Sequence, residues 1–597
     1  MLLLRPPVVE MRTSYMGTRI TPPIALASLA ASLRAAGHEP VVLDALMEGS
    51  EEFRPAYAEG AVVRGLDTDT VLERIASLGR IDAIGVNTMF SQDWPETAKL
   101  ISALGSRFGV PVIVGGEHAT AAAQYILDTS PHVTAAAHGE GEDTVVEFAD
   151  WVAGRKGLES VSGISRRDER GAVVRNETRP RIRAVDDIPW PAWDLFDVEK
   201  YLTDGSSYGI RVGRTMPIMA TRGCPYRCTF CSSPQMWTTK YVTRDPELVL
   251  DEIEHYIRAY NADTIDFYDL TAITRRSWIL AFCEGIERRG LKFAWQLPSG
   301  TRSEALDREV LRAISRAGCT SLSYAPESGS RRTLEIIKKK VNLDKLTDSI
   351  RGAVKEKISI KVNLIIGFPH ETRRDVLATI RYAAKLAVIG IEDAGIYLFS
   401  PYPGSELYEE LRRDGVLPEM NDAYFATLLQ QTDVKGSSVY CRAIGGRELG
   451  LYRLGGMLLF YALAYLRRPT RAIRTVRNLL TGKEAESYLE SRLSERGRTW
   501  RKALAKKRTG DTGTFTSTPA HHQVRRGTAP TPPVDTPALT VASPRSTTST
   551  EQVCCGTAIG TASNAVGELE VTDREDIPTV APGVPVSIRP GQLSKRS

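Results

Sequence analysis

Thr221-Arg222-Gly223-Cys224-Pro225-Tyr226-Arg227-Cys228-Thr229-Phe230-Cys231 places three cysteines within eight positions of one another, directly after a short apolar run at residues 218–220. Thiolates are the natural ligands of iron–sulfur clusters. Three close thiolates on a loop after a strand can hold three irons of a [4Fe–4S] cubane and leave the fourth iron without a protein ligand. An open metal position is where a substrate or cosubstrate binds. A zinc site short of one ligand, or three unrelated buried cysteines, are the other readings of the same residues.

Outward from this loop, residues 211–425 alternate strand and helix patterns. Candidate strands lie at 218–220, 264–268, 293–296, 321–325, 361–366 and 395–399, each followed by a helical pattern. Six such units predict a partial (β/α)6 barrel of the TIM type with its active site at the C-terminal strand ends. Upstream, residues 1–155 also alternate. Strands are expected at 2–4, 41–43, 83–87 and 112–114, and a helix opens at Pro22-Pro23 and stops near Gly37. That pattern predicts an α/β, doubly wound, Rossmann-like domain built on a parallel sheet. Residues 156–210, with Ile188-Pro189-Trp190-Pro191-Ala192-Trp193, read as a connector.

Composition bounds the rest. The chain has 597 residues, 42% hydrophobic and 25% charged, with a net charge of +5. It is too long for one core, and its charge makes no case for a nucleic-acid partner. The opening apolar residues 1–4 are too few for a signal peptide. The apolar run 454–466 is shorter than the ~20 residues that span a bilayer. A cytoplasmic protein is expected, and its eight cysteines then favour metal binding over disulfides. Cys283 and Cys319 read as core residues, and Cys554 and Cys555 as incidental. Residues 426–508 are helical and increasingly basic: Arg453, Arg467, Arg468, Arg471, Arg474 and Arg477 accompany the apolar stripe Ile473, Val476 and Leu480. Such a region can lie on an anionic membrane surface, giving peripheral membrane contact through 454–480, or pack on the barrel with a solvated basic face. Residues 509–597, with Phe515 as their one aromatic, cannot bury enough apolar surface and are expected to be a disordered tail.

The C-x3-C-x2-C spacing with Phe230 before the last cysteine resembles the radical S-adenosylmethionine superfamily. The resemblance implies that Cys224, Cys228 and Cys231 hold the cluster. It also implies that S-adenosylmethionine chelates the open iron and is cleaved to a 5′-deoxyadenosyl radical. Phe230 lies beside that cosubstrate in the implied site. Tyr324-Ala325-Pro326-Glu327-Ser328-Gly329-Ser330 resembles the family's fourth-strand end and would bring Glu327 and Ser328 to S-adenosylmethionine. A helix N-cap by Ser328 or Ser330 is the structural alternative. Ile365-Ile366-Gly367-Phe368-Pro369-His370-Glu371-Thr372 resembles the fifth-strand motif near the adenine, where Gly367 permits close backbone approach. His370 reads as a solvated loop residue. Tyr268-Asp269 matches the second strand end only in part, because Leu270 follows. Phe399 to Ser405 reads equally well as a structural turn.

Residues 1–150 resemble the cobalamin-binding domain that precedes this barrel in one large subfamily. The resemblance is carried by Pro22-Pro23-Ile24, Gly37-His38-Glu39, Asp44, Gly85-Val86-Asn87-Thr88, Gly115-Gly116-Glu117-His118 and His138-Gly139-Glu140-Gly141-Glu142. It implies that Thr88, Ser91, Gly115, Gly116 and Thr120 line the nucleotide tail of cobalamin, with Glu140 and Glu142 near the tail or the domain interface. The D-x-H-x-x-G ligand motif is absent after the first strand, where Arg5-Pro6-Pro7-Val8 stands. Cobalamin is therefore expected to bind without a histidine from that motif, and neither His118 nor His138 is expected to replace it. The implied activity is methylation of an unactivated carbon of a small-molecule or lipid-like substrate, fed by an external donor of the flavodoxin or ferredoxin type. An oxidative cyclase or ring-rearranging enzyme, and a cobalamin or redox sensor without turnover, are the alternatives. A methylthiotransferase is disfavoured, because the N-terminal region has no second group of three cysteines. No catalytic side chain is assigned.

Overall fold

The protein is described from a computed structural model that covers residues 1–481 and Glu490, apart from 15–17, 205, 211–212, 302–304 and 434–439. The expected disordered tail, Cys554 and Cys555, most of 482–508 and the side chain of Leu480 lie outside the described residues.

The first half holds ten strands: β1 (Leu2–Arg5), β2 (Val8–Met11), β3 (Val41–Asp44), β4 (Phe53–Pro55), β5 (Ala61–Arg64), β6 (Ile84–Asn87), β7 (Val112–Gly115), β8 (Ala135–Ala137), β9 (Ile164–Arg167) and β10 (Val173–Arg175). Seven of them form one sheet in the order β10-β9-β8-β7-β6-β1-β3, parallel from β3 to β8. These strands read as unbroken apolar runs because helices cover both faces. Leu3 packs with helices Ile24–Ala35 and Glu142–Val152 on one side. Leu2 and Leu4 pack with Trp94–Phe108 and Glu117–Thr129 on the other. β2, β5 and β4 form a separate antiparallel sheet that apolar periodicity did not reveal.

The connector is not wholly a connector. β9 and β10 add an antiparallel hairpin to the edge of the first sheet. Their turn is made by Asp168, whose carboxylate accepts from the N–H of Arg170 and Ala172, and by Gly171 at φ +79°. The strands carry arginines and are short, so they lack the apolar signature of the inner ones.

The second half holds β11 (Thr215–Ile218), β12 (Thr221–Arg222), β13 (Val242–Thr243), β14 (Thr264–Phe267), β15 (Ala294–Thr301), β16 (Cys319–Glu327), β17 (Ser359–Ile366) and β18 (Asp393–Leu398). Six strands run parallel in strict sequence order, β11-β14-β15-β16-β17-β18, as a partial (β/α)6 barrel requires. The first of them lies earlier than the apolar run at 218–220 suggested. Pro217, which has no N–H for a ladder, is tolerated because β11 is an edge strand. Thr221 and Arg222 instead pair with β13, and this ladder leads straight into the cysteine loop. Cys283 and Cys319 are buried in the barrel core, as expected.

Helix Gly446–Arg467 packs against β18 and helix Arg373–Ile389. It extends well beyond the apolar run 454–466. At 22 residues it is long and apolar enough to cross a membrane by length and composition.

Candidate active site

The cysteine loop is shaped by its first glycine. Gly223 has φ +84°, and a Cβ there would fall 2.2 Å from the carbonyl oxygen of Lys240, so no other residue fits. The chain then turns through Cys224, Cys228 and Cys231, with the Cys231 N–H donating to the Cys228 carbonyl at 3.1 Å. All three are free thiols of intermediate exposure. Thr271, just past β14, donates its hydroxyl to Cys224 Sγ at 3.5 Å. Asp269 ties the same strand end to the loop by accepting from the Ala220 N–H at 3.1 Å, and burial pushes its carboxyl up to about 6.

The donor set fits an iron–sulfur cluster. Burial pushes the Cys228 thiol up to about 11; Lys339 opposes this, while Cys231, Glu327 and Cys224 add to it. Burial also raises Cys231. Cys228 and Cys231 therefore resist ionisation until a cationic iron core compensates their thiolates. Among the described residues no three His, Cys, Asp or Glu side chains are close enough to hold a single metal ion.

The residues expected around S-adenosylmethionine gather beside this loop. Phe230 meets Phe368 edge to face, with centroids 5.7 Å apart. Phe368 follows Gly367, whose φ is +90°. The turn is held by Glu371, which accepts from the N–H groups of Gly367 at 2.7 Å and Phe368 at 3.2 Å. Burial pushes Glu371 up to about 7. Glu327 ends β16 just past a register shift, with φ +66°, a conformation that costs a residue with a Cβ and clusters at functional sites. Its carboxylate pairs with Lys339 at 2.9 Å. Ser328 is fully buried and shares a hydrogen bond with Thr379 at 2.9 Å. Ser330 is the residue that caps helix Arg331–Ile336. His370 is half-buried and stacks on Phe368 at 5.8 Å instead of lying in solvent.

The candidate cobalamin residues lie together at the C-terminal ends of β6, β7 and β8. Thr88 Oγ1 donates to the Gly115 carbonyl at 3.1 Å. Gly116, at φ +123°, approaches so closely that a Cβ would be 2.8 Å from the Thr88 carbonyl oxygen. Thr120 donates to the Gly116 carbonyl at 2.9 Å and accepts from the Gly139 N–H at 3.1 Å. Ser91 bonds His118 Nδ1 at 2.9 Å, and that ring is sealed between Trp94 and Phe425. His138 is engaged by Ser165 at 2.8 Å. Met89 and Phe90 stand exposed at the end of β6, giving an apolar shelf beside the glycine turns. These residues fit a flat macrocycle; His118 Nδ1 and His138 Nε2 are engaged by serine hydroxyls, while His118 Nε2 is buried without a hydrogen-bond partner.

Glu140 departs from the rest of that set. Its carboxylate is taken up by Arg181 at 2.7 Å and by Arg222 at 3.3 Å, and Glu142 also pairs with Arg222, at 2.5 Å. These pairs, with a hydrogen bond from Ser232 to Glu117, dock the β7 and β8 ends on the residues flanking the cysteine loop. Thr271 and Lys339 carried no local signal as site residues, and each reaches the site from a separate element; Glu371 and Arg222 stood within the sequence motifs without an assigned role.

Comparison with known proteins agrees with this geometry. The family model "Radical SAM superfamily" matches residues 218–383 and "B12 binding domain" matches residues 18–149. An uncharacterized methyltransferase of Pyrococcus horikoshii is 30% identical, over 72% of this chain and 86% of its own length. Cytidylyl-2-hydroxyethylphosphonate methyltransferase of Streptomyces wedmorensis is 28% identical, over 72% of this chain and 84% of its own. The structure of the radical S-adenosylmethionine methyltransferase TsrM from Kitasatospora setae, with cobalamin and a [4Fe–4S] cluster bound, superposes with a TM-score of 0.59. It is 18% identical and covers 84% of this chain and 99% of that one, so the likeness is one of fold. The chain belongs to the radical S-adenosylmethionine superfamily, in the branch that carries a cobalamin-binding domain ahead of the barrel.

Proposed function

We propose that this protein is a cytoplasmic, cobalamin-dependent methyltransferase that methylates an unactivated carbon of a small-molecule or lipid-like substrate. The observation that carries the reading is the docking of two sets of C-terminal strand ends. Glu117, Glu140 and Glu142 of the first domain meet Ser232 and Arg222 on either side of the three cysteines. The likeness to two methyltransferases over most of their length supports it.

When bound, the cluster and S-adenosylmethionine would supply a hydrogen-abstracting carbon radical, and cobalamin would supply a methyl group drawn from a second S-adenosylmethionine. The chain supplies the rest. Cys224, Cys228 and Cys231 would hold three irons, and Thr271 would steady the first sulfur. Phe230, Glu327, Ser328 and Gly367 would flank S-adenosylmethionine, with Lys339 and Glu371 holding Glu327 and the Gly367 turn in place. Thr88, Ser91, Gly115, Gly116 and Thr120 would line the nucleotide tail. Glu140 serves the domain interface in this reading. The docked strand ends would restrict water at the reacting carbon. An external donor of the flavodoxin or ferredoxin type would provide the electron.

The test is anaerobic reconstitution with cobalamin and methyl-labelled S-adenosylmethionine, followed by mass analysis of candidate products. Label in the product is expected. Unlabelled product with 5′-deoxyadenosine would replace methyl transfer by oxidative cyclisation. Triple alanine replacement of Cys224, Cys228 and Cys231 should abolish iron binding and S-adenosylmethionine cleavage together; cleavage that persists would remove the assignment.

A further inference from the structure

Helices Gly446–Arg467 and Pro469–Thr481 each bury arginine and leave large apolar side chains exposed. The first turns Leu449, Arg453, Gly456, Phe460 and Ala464 inward, at helical spacing. Gly456 lets it lie close, since a Cβ there would meet Ile396 at 2.9 Å. Arg453 is buried and donates to the Asp433 carbonyl at 2.5 Å. The second helix turns Arg471, Thr475 and Asn478 inward, with Arg471 donating to the Ile391 carbonyl at 3.0 Å. The outer faces are apolar. Leu451 is 71% exposed, Leu458 61% and Leu466 78%, with Leu454 between them and Ile473, at 69%, and Val476 on the next helix. Leu451, Leu454 and Leu458 follow helical spacing, so they form one continuous stripe.

Soluble monomers rarely expose apolar patches larger than a few hundred Å². Charge indicates what covers this one. From Leu449 to Lys483 there is no Asp or Glu, while the same stretch holds six arginines. Arg447, Arg467, Arg468 and Arg477 are exposed at the ends of the two helices. An apolar face rimmed by arginine, whose neighbouring acids Glu448 and Glu392 are taken up by Arg373 and by Arg468, Arg471 and Arg474, matches a bilayer whose headgroups are anionic. The helix does not span it. One side is committed to β18 and to helix Arg373–Ile389, with Arg453 inside. Only the outer leucines can enter, to the ~5–10 Å depth of an interfacial helix.

We propose that the leucine face of helices Gly446–Arg467 and Pro469–Thr481 seats the protein in the plane of an anionic membrane surface. This is independent of the methyl-transfer reading. The test is flotation of the full chain with vesicles of phosphatidylcholine alone or mixed with phosphatidylglycerol. The wild type should float with the mixed vesicles, much less with phosphatidylcholine, and less at high salt. Leu451→Gln, Leu458→Gln and Leu466→Gln together should cut the bound fraction at least about tenfold. Those side chains lie outside the core, so iron content and thermal unfolding should stay unchanged and report an intact fold. Arg447→Gln with Arg467→Gln and Arg468→Gln should remove the preference for phosphatidylglycerol. Failure of the wild type to float, equal flotation of the leucine variant, or equal binding to both vesicles would overturn the proposal. So would a dimer in vesicle-free solution that the leucine variant dissociates, since a second copy would then own the face.

Discussion

His118 follows the Gly115-Gly116 turn, where a ligand to cobalt would first be sought, yet its ring is 1% exposed and bonded to Ser91. Burial drops it from its ordinary 6.5 to about 3. The native state keeps this ring neutral while the unfolded chain takes up a proton below about 6.5. The contribution of this ring to stability is therefore complete above that pH and lost as pH falls, by about 1.4 kcal/mol per unit until about pH 3. His118→Phe should remove that contribution from the pH dependence. Urea unfolding of variant and wild type at pH 7 and pH 5.5 will show it as a smaller loss of stability in the variant, and an unchanged difference between the two pH values would place the acid sensitivity elsewhere. The three cysteines were legible because ligand spacing is local chemistry. Lys339 and Thr271 were not. Thr271 lies 47 positions from Cys224, and nothing between them announces that the two meet.

Among elements, β1, β3, β6 and β7 were legible from apolar runs; the alanine triplet of β8 was too short to stand out, and the β9–β10 hairpin was not legible because a sheet edge needs no apolar surface on both faces. The turn after β7 was visible as two glycines, but its purpose was not. Gly116 at φ +123° brings its backbone against the Thr88 carbonyl, with space for hydrogen alone. Gly116→Ala must either part β6 from β7 or strain the turn. It should lower the stability of the first domain by about 2 kcal/mol or more and weaken cobalamin retention on gel filtration. A variant that keeps its melting temperature and its corrinoid would show that the turn can relax.

In the whole molecule, Arg222 joins the halves. Burial would pull its guanidinium down, but Glu142 and Glu140 hold it above its usual value. Removing one partner of a buried set leaves charges uncompensated, at a cost of about 3–5 kcal/mol. Arg222→Met should destabilise the protein by that order in urea unfolding. It should also lower methyl transfer far more than S-adenosylmethionine cleavage, because the cluster loop stays intact while the domains lose register. An equal fall in both would make Arg222 a support of the loop alone. Residue order determined the three-cysteine loop, the two strand–helix alternations and the basic helical region, because spacing, periodicity and composition are properties of neighbours along the chain. Tertiary structure decided which acids face which arginines, that Glu140 belongs to an interface, that His118 is sealed away, and that Arg453 and Arg471 are buried while leucines of the last helices face outward. Those outcomes depend on which surface each element finds to pack against, and no local pattern specifies that.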